Sequence, residues 1–127
     1  SVVVSKDMVN LLPMAFPRGA LVHLAEWVKG FIDTPVISGI RINDPLLAER
    51  ILQEKKADLI GMGRPLIADP ELPRKAFDGR FDDIRSCIAC NRGCADKVYA
   101  PLPITCALNV EVGRERELAI KAAGNPK

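Results

Sequence analysis

A single histidine is all the sequence offers, and no serine-histidine-acid set can be assembled around it. His23 sits one turn before Trp27 in a helical stretch, so it reads as a helix-surface or core-edge residue and not as a catalyst. The carboxylates read as helix caps and surface charge, which leaves hydrolysis without visible machinery. No apolar run approaches the roughly 20 residues that span a bilayer, and the N-terminus lacks the charged-then-apolar layout of a signal peptide. Excess charge is missing too. The 18 basic and 16 acidic side chains are interspersed and leave a formal charge of +2, so no nucleic-acid or membrane partner is expected. Repeats and low-complexity tracts are absent as well. The expectation is a soluble, cytoplasmic protein in which 127 residues, 48% of them hydrophobic, can bury a modest core.

Hydrophobic spacing organises the first part of the chain. After Pro17-Arg18-Gly19, residues Leu21, Leu24, Ala25 and Val28 recur on one face of a helix that Gly30 can end. Pro35-Val36-Ile37-Ser38-Gly39 then reads as a buried strand. Asn43 or Asp44 can cap the next helix, with Pro45 in its first turn and Leu47, Ala48, Ile51 and Leu52 as its buried stripe. Ala57-Asp58-Leu59-Ile60-Gly61-Met62 gives a second strand, which completes a βαβ unit and makes the sheet parallel. Asp69-Pro70 offers another cap for a short helix with Leu72, Ala76 and Phe77, stopped by Gly79. Beyond Gly79 the apolar period disappears. Two strands alone leave sheet faces and edges uncovered, so the pattern predicts an incomplete barrel or open sheet. The chain also opens abruptly on Ser1-Val2-Val3-Val4, as a fragment would.

Two places carry candidate chemistry. The strands end in Gly39-Ile40-Arg41 and Gly61-Met62-Gly63-Arg64, and ligands of parallel α/β folds sit at such carboxyl ends. Glycine admits a phosphate to the backbone and arginine adds a charged fork. The bland alternative is turn glycines and arginines that are solvated or paired with Asp44 and Asp69. The second place is Cys87-x2-Cys90-x3-Cys94-x11-Cys106, which uses every cysteine of the chain. Clustered thiolates suit an iron-sulfur cluster or zinc, and a bound metal can order a loop with little core. Two disulfides form a third option with less to favour it. The spacing alone leaves iron-sulfur and zinc open, and the zinc case would make this a small structural or interaction module without catalytic activity. With hydrolysis set aside, redox chemistry is the class that fits.

Six ordered motifs extend these readings: Pro17-Arg18-Gly19-Ala20, Arg41-Ile42-Asn43-Asp44-Pro45, Ala57-Asp58-Leu59-Ile60, Gly63-Arg64-Pro65, Ala68-Asp69-Pro70 and Cys87-Ile88-Ala89-Cys90-Asn91. Together they resemble the Old Yellow Enzyme-related, iron-sulfur NADH:flavin oxidoreductases, a group that spans 2,4-dienoyl-CoA reductases, trimethylamine dehydrogenases and N-methylproline demethylases. The resemblance implies the C-terminal portion of a (β/α)8 TIM barrel over residues 1–80, with the two strands as its seventh and eighth. A loop-rich iron-sulfur-binding segment over 81–127 would follow, leading to a dinucleotide-binding domain that is missing. It implies FMN held by Arg41, Gly63 and Arg64, with Gly39 and Met62 beside them. It also implies a [4Fe-4S] cluster on Cys87, Cys90, Cys94 and Cys106.

In such enzymes FMN exchanges two electrons with an organic substrate while the cluster passes single electrons to a nicotinamide or flavin partner. FAD and NAD(P)H are therefore further cofactors implied for a full-length parent, whose partners would be a small-molecule substrate, the rest of the barrel and, in an oligomer, copies of itself. Ser1 to Phe16 lacks the histidine common before this motif in dienoyl reductases. That weakens a dienoyl-CoA assignment and leaves reduction of another activated alkene or amine demethylation. No catalytic acid or base is assigned, and the isolated fragment is expected to be inactive.

Overall fold

Asp44 adopts an extended backbone and its carboxylate accepts the Leu46 N–H at 2.9 Å, so helix α2, Pro45–Gln53, begins on Asp44 with Pro45 in its first turn. The computed structural model describes residues 11–98, 100 and 102–118; the readings of Ser1-Val2-Val3-Val4 and of the end of the chain fall outside them. Helix α2 joins strands β1, Ile37–Ser38, and β2, Leu59–Ile60. They pair in parallel, Ile37 opposite Leu59 and Ser38 opposite Ile60, as the βαβ pattern requires. Asp58 reinforces the entry to the pair, because its carboxylate accepts the Val36 N–H at 2.8 Å and the Lys29 ammonium.

Helix α1, Val22–Lys29, packs against β1 while α2 packs against β2. Val22, Ile42, Ala48, Ile51 and Ala57 form the core, with Ala25, Leu47, Ile60 and Met62 against it. The stripe expected on α2 is realised at Leu47, Ala48 and Ile51, with Leu52 half-buried outside this core, whereas that on α1 is shifted: Leu24 is 47% exposed and Val22 is the buried residue. Ile37 is 63% exposed, so β1 is covered on its Ser38 side only among the described residues. Periodicity identifies a helix face or strand but not the element that covers it.

Two short helices follow β2. Helix α3, Arg64–Ala68, begins directly after Gly63, where the sequence suggested only a strand end. Helix α4, Leu72–Phe77, accommodates Pro73 in its first turn, and Gly79 follows at φ 73°. Pro70 lies before this helix, and Phe77 is 93% exposed instead of buried. Thereafter, among the described residues, only two 3-10 turns, Phe81–Asp83 and Ala95–Lys97, interrupt the loops, consistent with the loss of apolar period after Gly79. No helix among the described residues is long and apolar enough to cross a membrane.

Candidate functional site

Arg41 leaves β1 at φ 61°, a left-handed conformation that residues other than glycine seldom enter. Its carbonyl accepts the Gly19 N–H at 2.9 Å. Its guanidinium donates to the Phe16 carbonyl at 2.9 and 3.1 Å and to the Met14 carbonyl at 3.4 Å. Arg18 adds an ion pair to Asp44 at 3.3 Å, so the motif at Pro17-Arg18-Gly19 and the one at Arg41 form a single unit.

Arg64 opens α3 at the neighbouring strand end. Its Nη1 donates to the Leu12 carbonyl at 3.0 Å and to the side-chain oxygen of Asn91. Neither Arg41 nor Arg64 has a carboxylate partner among the described residues, because Asp44 takes Arg18 and Asp69 takes Lys75. The pairing expected under the bland reading is therefore not formed. Burial, then the positive charges of Arg64 and Arg18, hold the Arg41 pKa below the ordinary guanidinium value. An anion placed here would relieve that repulsion.

Gly39, Arg41, Asn43, Gly63, Arg64 and Cys87 share the wall of one cavity of about 270 Å³. Met62 does not join them and packs against the core instead. The two glycines differ in kind. A Cβ on Gly39 would lie 2.9 Å from the Gly61 carbonyl oxygen, so the converging strand ends themselves demand glycine. A Cβ on Gly63 would meet nothing within 4 Å, which leaves its backbone open for a ligand to approach. Two guanidiniums lacking carboxylates, beside an open backbone, fit a phosphate.

Asn43, read from sequence as an alternative cap, has another place. It is 4% exposed, and its Nδ2 donates to the Cys87 carbonyl. Asn91 likewise links Arg64 to the Leu11 carbonyl, which accepts from its Nδ2. Sequence reasoning missed both residues as site members, although each stands inside a quoted motif.

Cys87, Cys90, Cys94 and Cys106 line a second, smaller cavity, and Arg64, Ile67 and Cys87 belong to both walls. All four cysteines are free, so neither disulfide is made. The Thr105 N–H donates to the Gly93 carbonyl at 2.6 Å, which joins the residue before Cys106 to the residue before Cys94. Backbone N–H groups of Ala89 and Leu108 point at the sulfurs of Cys87 and Cys106, each at 3.4 Å.

Burial pushes the Cys94 thiol up, the Ala95 N–H pulls it down in part, and the neighbouring Cys87 and Cys90 push it further. A cationic centre would reverse that balance. Among the described residues no three potential ligands converge to hold a single metal ion. By donor chemistry alone, four free cysteines lining one small cavity offer the soft thiolates that an iron-sulfur centre takes.

Buried polar side chains pin both ends of this segment. Asp69, 0% exposed, accepts from Lys75 Nζ at 2.7 Å, Arg85 N at 2.9 Å and Glu71 N at 3.1 Å. It thus fixes the approach to Cys87 rather than capping a helix. Past Cys106, the buried Asn109 donates to the Ile67 carbonyl at 2.9 Å.

Residues 15–83 match the NADH:flavin oxidoreductase / NADH oxidase family. The chain belongs to that family of enzymes. It is 50% identical over 121 residues to a metal reductase of Desulforamulus reducens, covering 95% of this chain and 18% of that protein. A 2-naphthoyl-CoA reductase, solved in complex with 2-naphthoyl-CoA, superposes with a TM-score of 0.78 at 38% identity, over 84% of this chain and 16% of that one. A 6-hydroxypseudooxynicotine amine oxidase of Pseudomonas geniculata gives a TM-score of 0.73 at 37% identity, over 79% and 15%. The chain therefore spans less than a fifth of the length of these relatives. The described α/β unit is a partial piece of the barrel enzymes that this family comprises. Nothing in the family or these relatives points to a zinc module.

Proposed function

We propose that this chain supplies the phosphate end of an FMN site and a [4Fe-4S] site to an oxidoreductase that moves electrons between a nicotinamide or flavin partner and an organic substrate. Residues 1–80 would be the last βα units of the barrel and 81–127 the cluster-binding segment, followed in the intact protein by a dinucleotide-binding domain. The observation that carries the reading is the shared wall: Arg64 and Cys87 border both the arginine-lined cavity and the cavity of the four cysteines. Arg41 and Arg64 would hold the FMN phosphate, Gly63 would let it approach the backbone, and the four cysteines would hold the cluster. When bound, the flavin supplies two-electron exchange with substrate and the cluster single-electron transfer. This chain's own task is to fix the two sites against one another, through Asn43 on the Cys87 carbonyl and Asn91 on Arg64.

The substrate class spans activated alkenes, such as α,β-unsaturated acyl groups, and methylated amines; a naphthoyl-CoA reductase and an amine oxidase among the similar structures support that span. The test is made on the intact protein purified without air. Flavin released by heat should be FMN, and either unsaturated acids and thioesters with NADH as donor, or methylated amines with an artificial acceptor, should turn over. Release of no flavin would sink the proposal.

A further inference from the structure

The stretch Cys106-Ala107-Leu108 is held at both ends. Before it, the Thr105 N–H donates to the Gly93 carbonyl at 2.6 Å. After it, the buried Asn109 donates from Nδ2 to the Ile67 carbonyl at 2.9 Å and accepts the Glu111 N–H on Oδ1 at 3.1 Å. A carbonyl can only accept and a backbone N–H can only donate, so this amide has one orientation and both its polar atoms are met. Ile67 lies in the last turn of α3, where a helix leaves carbonyls without an intrahelical partner. Asn109 thus seats the chain after Cys106 on a helix whose Arg64 and Ile67 border both cavities. Between the two pins the Leu108 N–H points at the Cys106 sulfur at 3.4 Å. A hydrogen bond to a ligating thiolate favours the more negatively charged form of a cluster, which is the reduced one, and so raises its potential.

We propose that Asn109 is a positioning residue that sets the reduction potential of the cluster, by holding the Leu108 N–H on the Cys106 sulfur. This rests on the iron-sulfur reading above and adds to it a residue that is not itself a ligand. A side chain that merely packed the segment would act with the opposite sign. Loosening the segment admits water to the thiolates, and water also stabilises the more negative form, so the potential would rise. Turning the Leu108 N–H away removes a donor from Cys106, so the potential falls.

The midpoint potential is read in the intact protein, purified without air, from the EPR signal of the reduced cluster during a redox titration. Asn109→Ala should move it to lower potential, by about a threefold to tenfold change in the one-electron equilibrium, a decade being worth about 59 mV. Asn109→Gln keeps an amide on a longer stem and should fall between Asn109→Ala and the native protein. An unchanged or higher potential in Asn109→Ala would overturn the proposal. Should Asn109→Ala hold no cluster, Asn109→Gln decides by the same sign: a lower potential supports the proposal, and an unchanged or higher one overturns it. Loss of the cluster from both variants would make Asn109 a residue of cluster assembly and would overturn it equally. A native protein without an iron-sulfur signal would instead remove the reading on which the proposal rests.

Discussion

Arg64 donates a hydrogen bond to the side-chain oxygen of Asn91, and so joins the arginine-lined cavity to the loop between Cys90 and Cys94. Asn91 also sits at φ 58°, a conformation that asparagine tolerates better than alanine. Asn91→Ala should therefore lose the charge-assisted bond, worth about 1.5–3 kcal/mol, and add backbone strain. Asn91→Gly should lose that bond and the one from Nδ2 to the Leu11 carbonyl, as alanine does, but without the strain. Both variants should retain less FMN and less iron than the native protein, with alanine the worse, as cofactor assays on purified protein would register. Unchanged content of both cofactors would separate the two sites.

The two strand-end glycines should respond differently to one methyl group. Gly39→Ala places a Cβ 2.9 Å from the Gly61 carbonyl oxygen and should destabilise the fold by about 1–3 kcal/mol. Gly63→Ala meets nothing within 4 Å and should leave thermal stability unchanged while weakening FMN binding. Melting curves together with flavin titrations distinguish the pair. Loss of stability in both would make Gly63 a packing residue.

Arg41→Ala and Arg64→Ala should each weaken FMN retention by roughly tenfold or more, since each removes a cation with no carboxylate of its own. Arg18→Ala is the control: its charge is already met by Asp44 and its loss should cost much less. The three dissociation constants check this ordering.

How far the sequence reveals this arrangement depends on how local the determining contacts are. Asp44 and Pro45 start α2 through bonds within three residues, and β1 and β2 follow from short apolar runs around that helix, so all three are legible. Helix α3 has five residues, too few for a hydrophobic period. Asp69 looks like a cap because its partner Arg85 is 16 residues away, and Asn43 looks like one because Cys87 is 44 away. The burial expected for Leu24, Ile37 and Phe77 depends on covering elements that periodicity does not name. The family resemblance sets Met62 beside the cofactor, whereas its side chain packs against the core, a contact that no local pattern names.

Asp69 supplies a pH prediction. Burial opposes its ionisation, yet the Lys75 ammonium and the Arg85 and Glu71 N–H groups outweigh that, and its pKa lies below the ordinary carboxylate value. A depressed pKa means stability that is fully present above the unfolded carboxylate range and lost as pH falls through the folded value. Asp69→Asn leaves Lys75 without its carboxylate partner, only the Asp83 carbonyl at 3.0 Å remaining, and should cost about 3–5 kcal/mol near neutral pH. The gap from the native protein should narrow in acid. Urea unfolding of both proteins across that range measures it, and a gap independent of pH would contradict the assignment.

The central claim is that four cysteines facing one cavity beside the arginines hold an iron-sulfur centre. Metal and acid-labile sulfide analysis of the intact protein, purified without air, tests it most directly. The account predicts about four iron atoms and about four sulfides per chain, both lost when Cys94 is changed to alanine. Zinc in place of iron, with no sulfide, would contradict it.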